Sequence, residues 1–172
     1  MDNRIFSQLR RWVREGVVFI LLTLAVMWGV DQYRKPAIPA SFSATPMQSI
    51  DGKLYDFTAL SQERPLLIYV WATWCSICRF TTPSVDKLAN EGGNVVSIAL
   101  RSGDDAKLER WVEKKQLTVP VINDERGALS QQWQVSVTPT LVVVSKGQVV
   151  TTTSGWTSYW GMKLRLWRAA MF

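Results

Sequence analysis

The feature that most constrains this chain is the run Trp-Ala-Thr-Trp-Cys-Ser-Ile-Cys at residues 71–78. It contains the only two cysteines among 172 residues, Cys75 and Cys78. A disulfide between cysteines so close in sequence closes a very short loop, so it would add little to the stability of a fold. The pattern therefore favours a dithiol that is oxidised and reduced over a purely structural crosslink.

The two cysteines are predicted to lie at the turn between a buried strand and a helix. Residues 65–71 form a nearly continuous apolar run, which is typical of a buried parallel strand. Residues 79–90 are predicted to be a helix, whose apolar residues recur at helical spacing: Phe80, Val85, Leu88 and Ala89. Free N–H groups and the dipole at the start of this helix would stabilise a thiolate on Cys75. We therefore predict Cys75 as the nucleophile and Cys78 as the resolving thiol.

The ligand types present leave little room for a metal centre. A zinc site needs about four ligands, and the chain has no His and no third Cys. Cu(I) held by the two thiolates remains an alternative. No resident metal or cofactor is predicted.

These motifs resemble the thioredoxin superfamily, specifically its membrane-anchored periplasmic branch of TlpA-like and ResA-like proteins. Within that branch, the suppressor-of-copper-sensitivity D-type proteins are the most similar. A second motif, Val-Thr-Pro-Thr-Leu at residues 137–141, resembles the segment in which thioredoxins carry a cis-proline facing the disulfide. The resemblance implies that Pro139 is cis and that the Thr138 backbone pairs with an extended substrate segment. The alternative is an ordinary trans proline in a turn.

The resemblance also implies a substrate-binding surface, and this chain departs from the family pattern at two positions. Trp74, Ser76 and Ile77 would contact the substrate. Thioredoxin has a buried Asp where this chain has Tyr69, and the TlpA-like branch commonly has a Glu where it has Thr81. We therefore expect slower resolution, or a base supplied by water or the partner.

An apolar segment near the N-terminus predicts the location of the protein. Residues 16–30 carry no charge, and four arginines precede them whereas only Arg34 and Lys35 follow closely. The positive-inside rule then predicts a cytoplasmic N-terminus at 1–15 and a single transmembrane signal-anchor at 16–33 in the bacterial inner membrane. A tether at 34–45 and a periplasmic domain at 46–172 would follow. A cleaved signal peptide is the alternative, although no A-x-A-like site follows closely.

The rest of the chain alternates strands and helices, which predicts one α/β domain. The resemblance implies a thioredoxin fold, with a central mixed sheet flanked by helices and an N-terminal β-hairpin, preceded by one transmembrane helix. The predicted strands lie at 95–100, 119–122, 141–144 and 148–152, the hairpin at 42–55, and the remaining helices at 104–115, 129–133 and 156–170.

Aromatic and basic residues invite two further predictions. Trp111, Trp133, Trp160 and Trp167 have spacings that suit core packing. The cations of the last helix, Lys163, Arg165 and Arg168, would complement its dipole, with a weak contact to anionic lipid headgroups as the alternative. No phosphate loop or aromatic-interleaved basic patch is present, so nucleic acid is not a predicted partner.

The sequence thus predicts a membrane-tethered thiol-disulfide oxidoreductase that exchanges disulfides with periplasmic proteins. The dipeptide Ser76-Ile77 has neither the Pro of reducing thioredoxins nor the His found in strongly oxidising relatives, which argues against an extreme oxidant. A reductase supplied by a membrane electron-transfer partner is favoured over an oxidase. Two alternatives use the same features. One is a Cu(I)-binding or copper-tolerance protein, and the other is a thioredoxin-fold adaptor that docks a partner without turnover.

Overall fold

The computed structural model describes residues 3–33 and 46–171, which form two compact units. The first unit is a single helix, α1 (Asn3–Tyr33). Within the described residues, no helix is long and apolar enough to cross a membrane. The membrane-spanning segment predicted at 16–33 is therefore not confirmed, and the tether predicted at 34–45 lies outside the described residues.

The second unit is an α/β domain that begins with a short hairpin. Its elements in chain order are β1 (Met47–Gln48), β2 (Leu54–Tyr55), α2 (Phe57–Glu63), β3 (Leu66–Trp71), α3 (Cys78–Asn90), β4 (Val95–Leu100), α4 (Asp105–Lys115), β5 (Val121–Asp124), α5 (Ala128–Gln132), β6 (Thr140–Ser145), β7 (Gln148–Ser154) and α6 (Tyr159–Ala169). Strands β1 and β2 pair with each other, and the other strands form one sheet in the order β5-β4-β3-β6-β7. Strand β3 is parallel to β4 and antiparallel to β6. The predicted central mixed sheet flanked by helices is confirmed.

Strand β3 lies at the centre of the sheet and is buried on both faces. All six of its side chains are buried, which explains why its sequence is a continuous apolar run and does not alternate. Leu67, Tyr69 and Trp71 pack in one hydrophobic cluster with residues of α3, α4 and α6. Leu66, Ile68 and Val70 face the opposite cluster, which includes residues of the α2 and α5 regions. The domain is therefore a three-layer sandwich with one core on each side of the sheet.

Two elements differ from the sequence prediction for local reasons. Strand β5 begins at Val121 rather than Val119, and Pro120, which has no N–H, instead accepts hydrogen bonds at its carbonyl from the N–H and hydroxyl of Ser97. Helix α2 was not predicted because its seven residues are too few to show a helical period. Its signal was Asp56, whose carboxylate caps the helix by accepting from the N–H groups of Thr58 and Ala59.

Core packing was wrongly predicted for two of the four tryptophans. Trp133 is buried, and Trp111 packs on Trp71 with ring centroids 4.8 Å apart. Trp160 and Trp167, however, are 74% and 60% exposed. Helix α6 instead buries Met162 and Ala169, two turns apart, and its opposite side carries the exposed rings. Helical spacing predicted that Trp160 and Trp167 lie on one side of α6, but not whether the rest of the domain packs against that side.

Glu91, directly after α3, joins this helix to α6. Its carboxylate accepts hydrogen bonds from the Tyr159 hydroxyl and, at 3.2 Å, from the Lys163 ammonium. The hydrogen bond from Tyr159, aided by Lys163, holds the pKa of Glu91 below its ordinary value of 4.5. Because the charged carboxylate is favoured in the folded state, this contact stabilises the fold at pH values above 4.5. The stabilisation is lost as the pH falls through the folded-state pKa.

We therefore expect the urea midpoint to fall on acidification partly because of Glu91. In Glu91→Gln, the decrease between about pH 6 and about pH 3 should be smaller than in the unsubstituted chain. Denaturation followed by circular dichroism at both values measures this difference. Because Glu91 is partly solvated, the effect should be modest and should shrink in high salt. An identical decrease in both proteins would show that this cluster does not contribute.

Candidate active site

The turn that carries the two cysteines connects β3 to α3 and is fastened to a neighbouring loop. The Thr73 N–H donates to the Ser102 hydroxyl at 3.0 Å. The Trp74 indole N–H donates to the Arg101 carbonyl at 3.1 Å. Both acceptors lie in the loop after β4, the strand parallel to β3. The carboxyl ends of two adjacent parallel strands therefore position the motif.

Cys75 and Cys78 form a disulfide, with their Cα atoms 5.3 Å apart. Cys78 is the first residue of α3. Cys75 is 7% exposed and Cys78 is 2% exposed, so Cys75 is the more accessible residue. The Cys78 N–H donates to the Cys75 sulfur at 3.2 Å. The same N–H, at the positive end of the helix dipole, would stabilise negative charge on Cys75 after reduction. This geometry suits Cys75 for attack and Cys78 for resolution.

The disulfide lies between exposed side chains of the same turn and helix. Trp74 is 62% exposed although its indole N–H is bound, and Ser76 and Ile77 are also exposed. Phe80, one of the apolar residues whose spacing predicted the helix, is exposed as well. It lies about 200° around the helix from Cys78, on the side away from the buried residues of α3. That angular separation is the sequence signal that would have placed Phe80 on the surface.

The peptide bond between Thr138 and Pro139 is cis, and the sheet brings this segment to the end of the domain that holds the cysteines. In the antiparallel register of β3 and β6, Val70 pairs with Thr140. Pro139 therefore lies level with Trp71, directly before the cysteine turn. The Pro139 carbonyl accepts from the Gly155 N–H at 2.7 Å, whereas no hydrogen bond joins the Thr138 backbone to another described residue. Thr138 thus has a backbone N–H and carbonyl available for an added strand.

Tyr69 stands where thioredoxin has a buried Asp, and its hydroxyl is part of a chain of hydrogen bonds. Its hydroxyl lies 2.8 Å from the Thr82 hydroxyl, which in turn donates to the Cys78 carbonyl at 2.8 Å. Since the single Thr82 hydroxyl proton is used for that carbonyl, Tyr69 must donate to Thr82. Burial raises the pKa of Tyr69 well above its usual range, so it stays neutral. Tyr69 is a hydrogen-bond donor here and cannot replace the carboxylate as a base near neutral pH.

Thr81, at the position of the expected Glu, is fully buried, and its hydroxyl has no partner among the described residues. A cleft of about 490 Å³ adjoins Cys75 and Cys78 and has two carboxylates on its walls, Asp86 and Glu91. Asp86 accepts from the N–H groups of Thr118 and Val119 at 2.7 and 2.9 Å. Glu91 is bound by α6, as described above. Both carboxylates therefore have structural partners, and the cleft offers space for water beside the sulfurs.

Comparison with known proteins agrees with this geometry. Residues 36–158 match the Redoxin family. The chain belongs to the Redoxin family. This Redoxin is similar to a thioredoxin-like protein of Haemophilus influenzae, with 36% identity over 165 residues that cover 96% of this chain and 99% of the relative. It is also similar to the sporulation thiol-disulfide oxidoreductase A of Bacillus subtilis, with 24% identity over 149 residues, or 80% and 87% of the two chains.

A solved structure supports the fold assignment. The exposed lipoprotein thioredoxin of Streptococcus pneumoniae superimposes on this Redoxin with a TM-score of 0.65 at 24% identity, and the match covers 73% of this chain and 99% of that one. The family, the named relatives and the Cys-x-x-Cys pair together identify the chain as a thiol-disulfide oxidoreductase of the thioredoxin type. The proposed similarity to suppressor-of-copper-sensitivity D-type proteins is not confirmed.

Proposed function

We propose that this Redoxin is a membrane-tethered reductase of disulfides in periplasmic proteins, with Cys75 as nucleophile and Cys78 as resolving thiol. The observation that carries the proposal is the Cys75–Cys78 pair at the start of α3, where Cys75 is the more accessible residue and its sulfur accepts the Cys78 N–H. A sulfur in that position is prepared to be a thiolate, and the thiolate is the form that attacks disulfides.

The reaction proceeds through a mixed disulfide. The Cys75 thiolate attacks one sulfur of a substrate disulfide, so a Cys75–substrate bond forms while the substrate S–S bond breaks and releases a thiolate. The Cys78 thiol then loses its proton to water in the adjoining cleft and attacks the Cys75 sulfur. This step releases the second substrate thiolate and leaves the Cys75–Cys78 disulfide. The substrate has gained two electrons, which a membrane electron-transfer partner must return to the Redoxin.

Substrate would bind as an extended segment across the cysteine turn. The unpaired N–H and carbonyl of Thr138 would form the short added strand, held in position by cis-Pro139. Trp74, Ser76 and Ile77 would contact substrate side chains beside the accessible sulfur. Main-chain pairing does not depend on side-chain identity, so this arrangement would suit substrates of varied sequence.

The proposed direction and location have separate support. The dipeptide Ser76-Ile77 provides no histidine to stabilise a thiolate in the manner of a strong oxidant. The proposed anchor is the part of α1 at 16–33, whose described apolar side chains between Val17 and Leu22 are exposed, and the four arginines before residue 16 favour a cytoplasmic N-terminus. The domain would then act in an oxidising compartment, where a reductase requires a continuous electron supply.

The test of direction is the redox state of Cys75 and Cys78 in intact cells. Acid quenching followed by alkylation with a mass-shifting thiol reagent separates the dithiol from the disulfide. We expect mostly free thiols, because a membrane donor would keep a reductase reduced. Mostly disulfide would contradict the reductase proposal and indicate an oxidase or a relay without its donor.

The alternative function, Cu(I) binding, uses the same two sulfurs. A Cu(I) titration distinguishes it from the reductase function. The reduced full-length chain would be titrated with Cu(I) against a competing chelator and then assayed for disulfide reduction. A reductase needs free thiolates, so bound Cu(I) would inhibit it. Tight equimolar binding by a chain that lacks disulfide-exchange activity would favour the copper function.

A further inference from the structure

The C-terminal helix carries an apolar surface that the domain core does not use. Five of its residues, here called the α6 stripe, are between 56% and 74% exposed: Trp156, Trp160, Leu164, Trp167 and Met171. They follow one another at intervals of four, four, three and four residues, which places those within α6 on one side of the helix. Isolated exposed apolar residues are ordinary, but three tryptophans in one such series are not.

The helical part of the α6 stripe, Trp160 to Trp167, is distinct from the redox site, whereas Trp156 adjoins the cis-proline segment because Gly155 directly before it donates its N–H to the Pro139 carbonyl. The inner side of α6 packs through Met162 and Ala169, so the stripe is not needed to attach the helix. Trp160, Leu164 and Trp167 border an apolar groove of about 630 Å³ with Leu88 of α3. None of the stripe residues lines the cleft beside Cys75 and Cys78. A group that fills this cleft therefore leaves Trp160, Leu164 and Trp167 uncovered.

The charges on α6 indicate what covers the stripe. The helix has three cations and no acidic residue. Only Arg168 lies in its last turn, so the helix dipole accounts for that cation but not for Lys163, which lies near the middle of the helix and borders the groove. Lys163 pairs with Glu91 at 3.2 Å, but Glu91 also lies 3.9 Å from Lys87, so these three side chains together keep a net positive charge. A second copy of α6 would bring like charges together across the stripe. An anionic surface would instead be attracted to Lys163 and Arg168.

We propose that the α6 stripe docks on the surface of an anionic phospholipid bilayer. Tryptophan is the side chain that best suits the boundary between headgroups and acyl chains, because its ring is apolar and its N–H is polar. Leu164 and Met171 enter the same boundary, and the two cations bind lipid phosphates at its edge. Docking through α6 holds the domain against the membrane in a fixed orientation, whether or not α1 spans it.

Oxidative footprinting of the full-length chain tests this proposal. The chain is reconstituted in vesicles of phosphatidylcholine alone or of equal parts phosphatidylcholine and phosphatidylglycerol, and hydroxyl-radical oxidation of each tryptophan is read by mass spectrometry. Trp74 is the internal control because it is as exposed as Trp167 but belongs to the cysteine turn. Oxidation of Trp160 and Trp167 relative to Trp74 should fall about fivefold or more in the anionic vesicles, and less in the neutral ones.

Three substitutions, one of them a control, locate the effect. Leu164→Ser should weaken the protection, whereas Leu54→Ser, the same change at an exposed leucine of the hairpin, should not. Arg168→Gln removes a cation that has no side-chain partner among the described residues and should weaken binding to anionic vesicles about fivefold. The disulfide-reducing activity of all three variants in detergent should match that of the unsubstituted chain.

Three outcomes would overturn the proposal. Equal oxidation of Trp160 and Trp167 with both vesicle types would show that anionic lipid does not bind the stripe. Protection that rises with protein concentration in detergent alone would indicate a second copy of the chain as the occupant. Protection in detergent that is independent of concentration would indicate a segment of the same chain.

Discussion

Replacing Cys75 with serine should reduce disulfide-reducing activity by about a thousandfold or more, because the attacking sulfur is lost. Cys78→Ser should behave differently. Cys75 remains able to attack, but nothing within the chain can then release the substrate, so a mixed disulfide should accumulate. Insulin reduction measures the first effect, and non-reducing electrophoresis with mass spectrometry measures the second.

The double variant Cys75→Ser/Cys78→Ser is the matched control for trapping. It has no thiol, so any species that it captures is held without covalent exchange. A Cys78→Ser chain that accumulates no mixed disulfide would contradict the assigned roles of the two cysteines. If Cys75→Ser retained partner binding while losing all turnover, and the unsubstituted chain also showed no turnover, the adaptor alternative would be correct.

The elements around the cysteines could be predicted because their signals are local. The apolar run of β3 and the helical period of α3 each lie within about a dozen residues, and the turn between them holds the only two cysteines. The hairpin also had a local signal, the Asp51-Gly52 turn. The mixed sheet and the cis bond at Pro139 came from the resemblance, since no local pattern distinguishes a cis from a trans proline. The fold and the redox motif were therefore accessible from sequence.

What the sequence could not provide was the orientation of each helix toward a partner. Trp160 and Trp167 fit helical spacing, yet the structure turns both outward. Periodicity reports which residues share a side, whereas burial depends on what the tertiary fold places against that side. The hydrogen-bond chain from Tyr69 to Thr82 was also inaccessible, because its members are 13 residues apart and lie on different elements. The sequence showed only that a carboxylate was missing there.

The Tyr69–Thr82 pair should show strong energetic coupling, which is the second large effect that we expect. Thr82→Val removes the acceptor of a buried Tyr69 hydroxyl and leaves that group without a partner, which should lower the free energy of unfolding by about 1–3 kcal/mol. Tyr69→Phe should cost less, because Thr82 keeps the Cys78 carbonyl as its acceptor. In the double variant, the loss should be smaller than the sum of the two single losses, since no unpaired tyrosine hydroxyl remains.

Urea unfolding of the oxidised chain and its three variants measures this coupling, and a redox assay shows what the pair does. The hydroxyl chain ends at the carbonyl of Cys78 and does not reach its sulfur. Tyr69→Phe should therefore change the rate of mixed-disulfide resolution by less than about threefold, whereas loss of a true general base costs about a hundredfold or more. Additive stability losses would show that the two hydroxyls are not coupled. A large decrease in the resolution rate would instead make Tyr69 part of the proton path from Cys78.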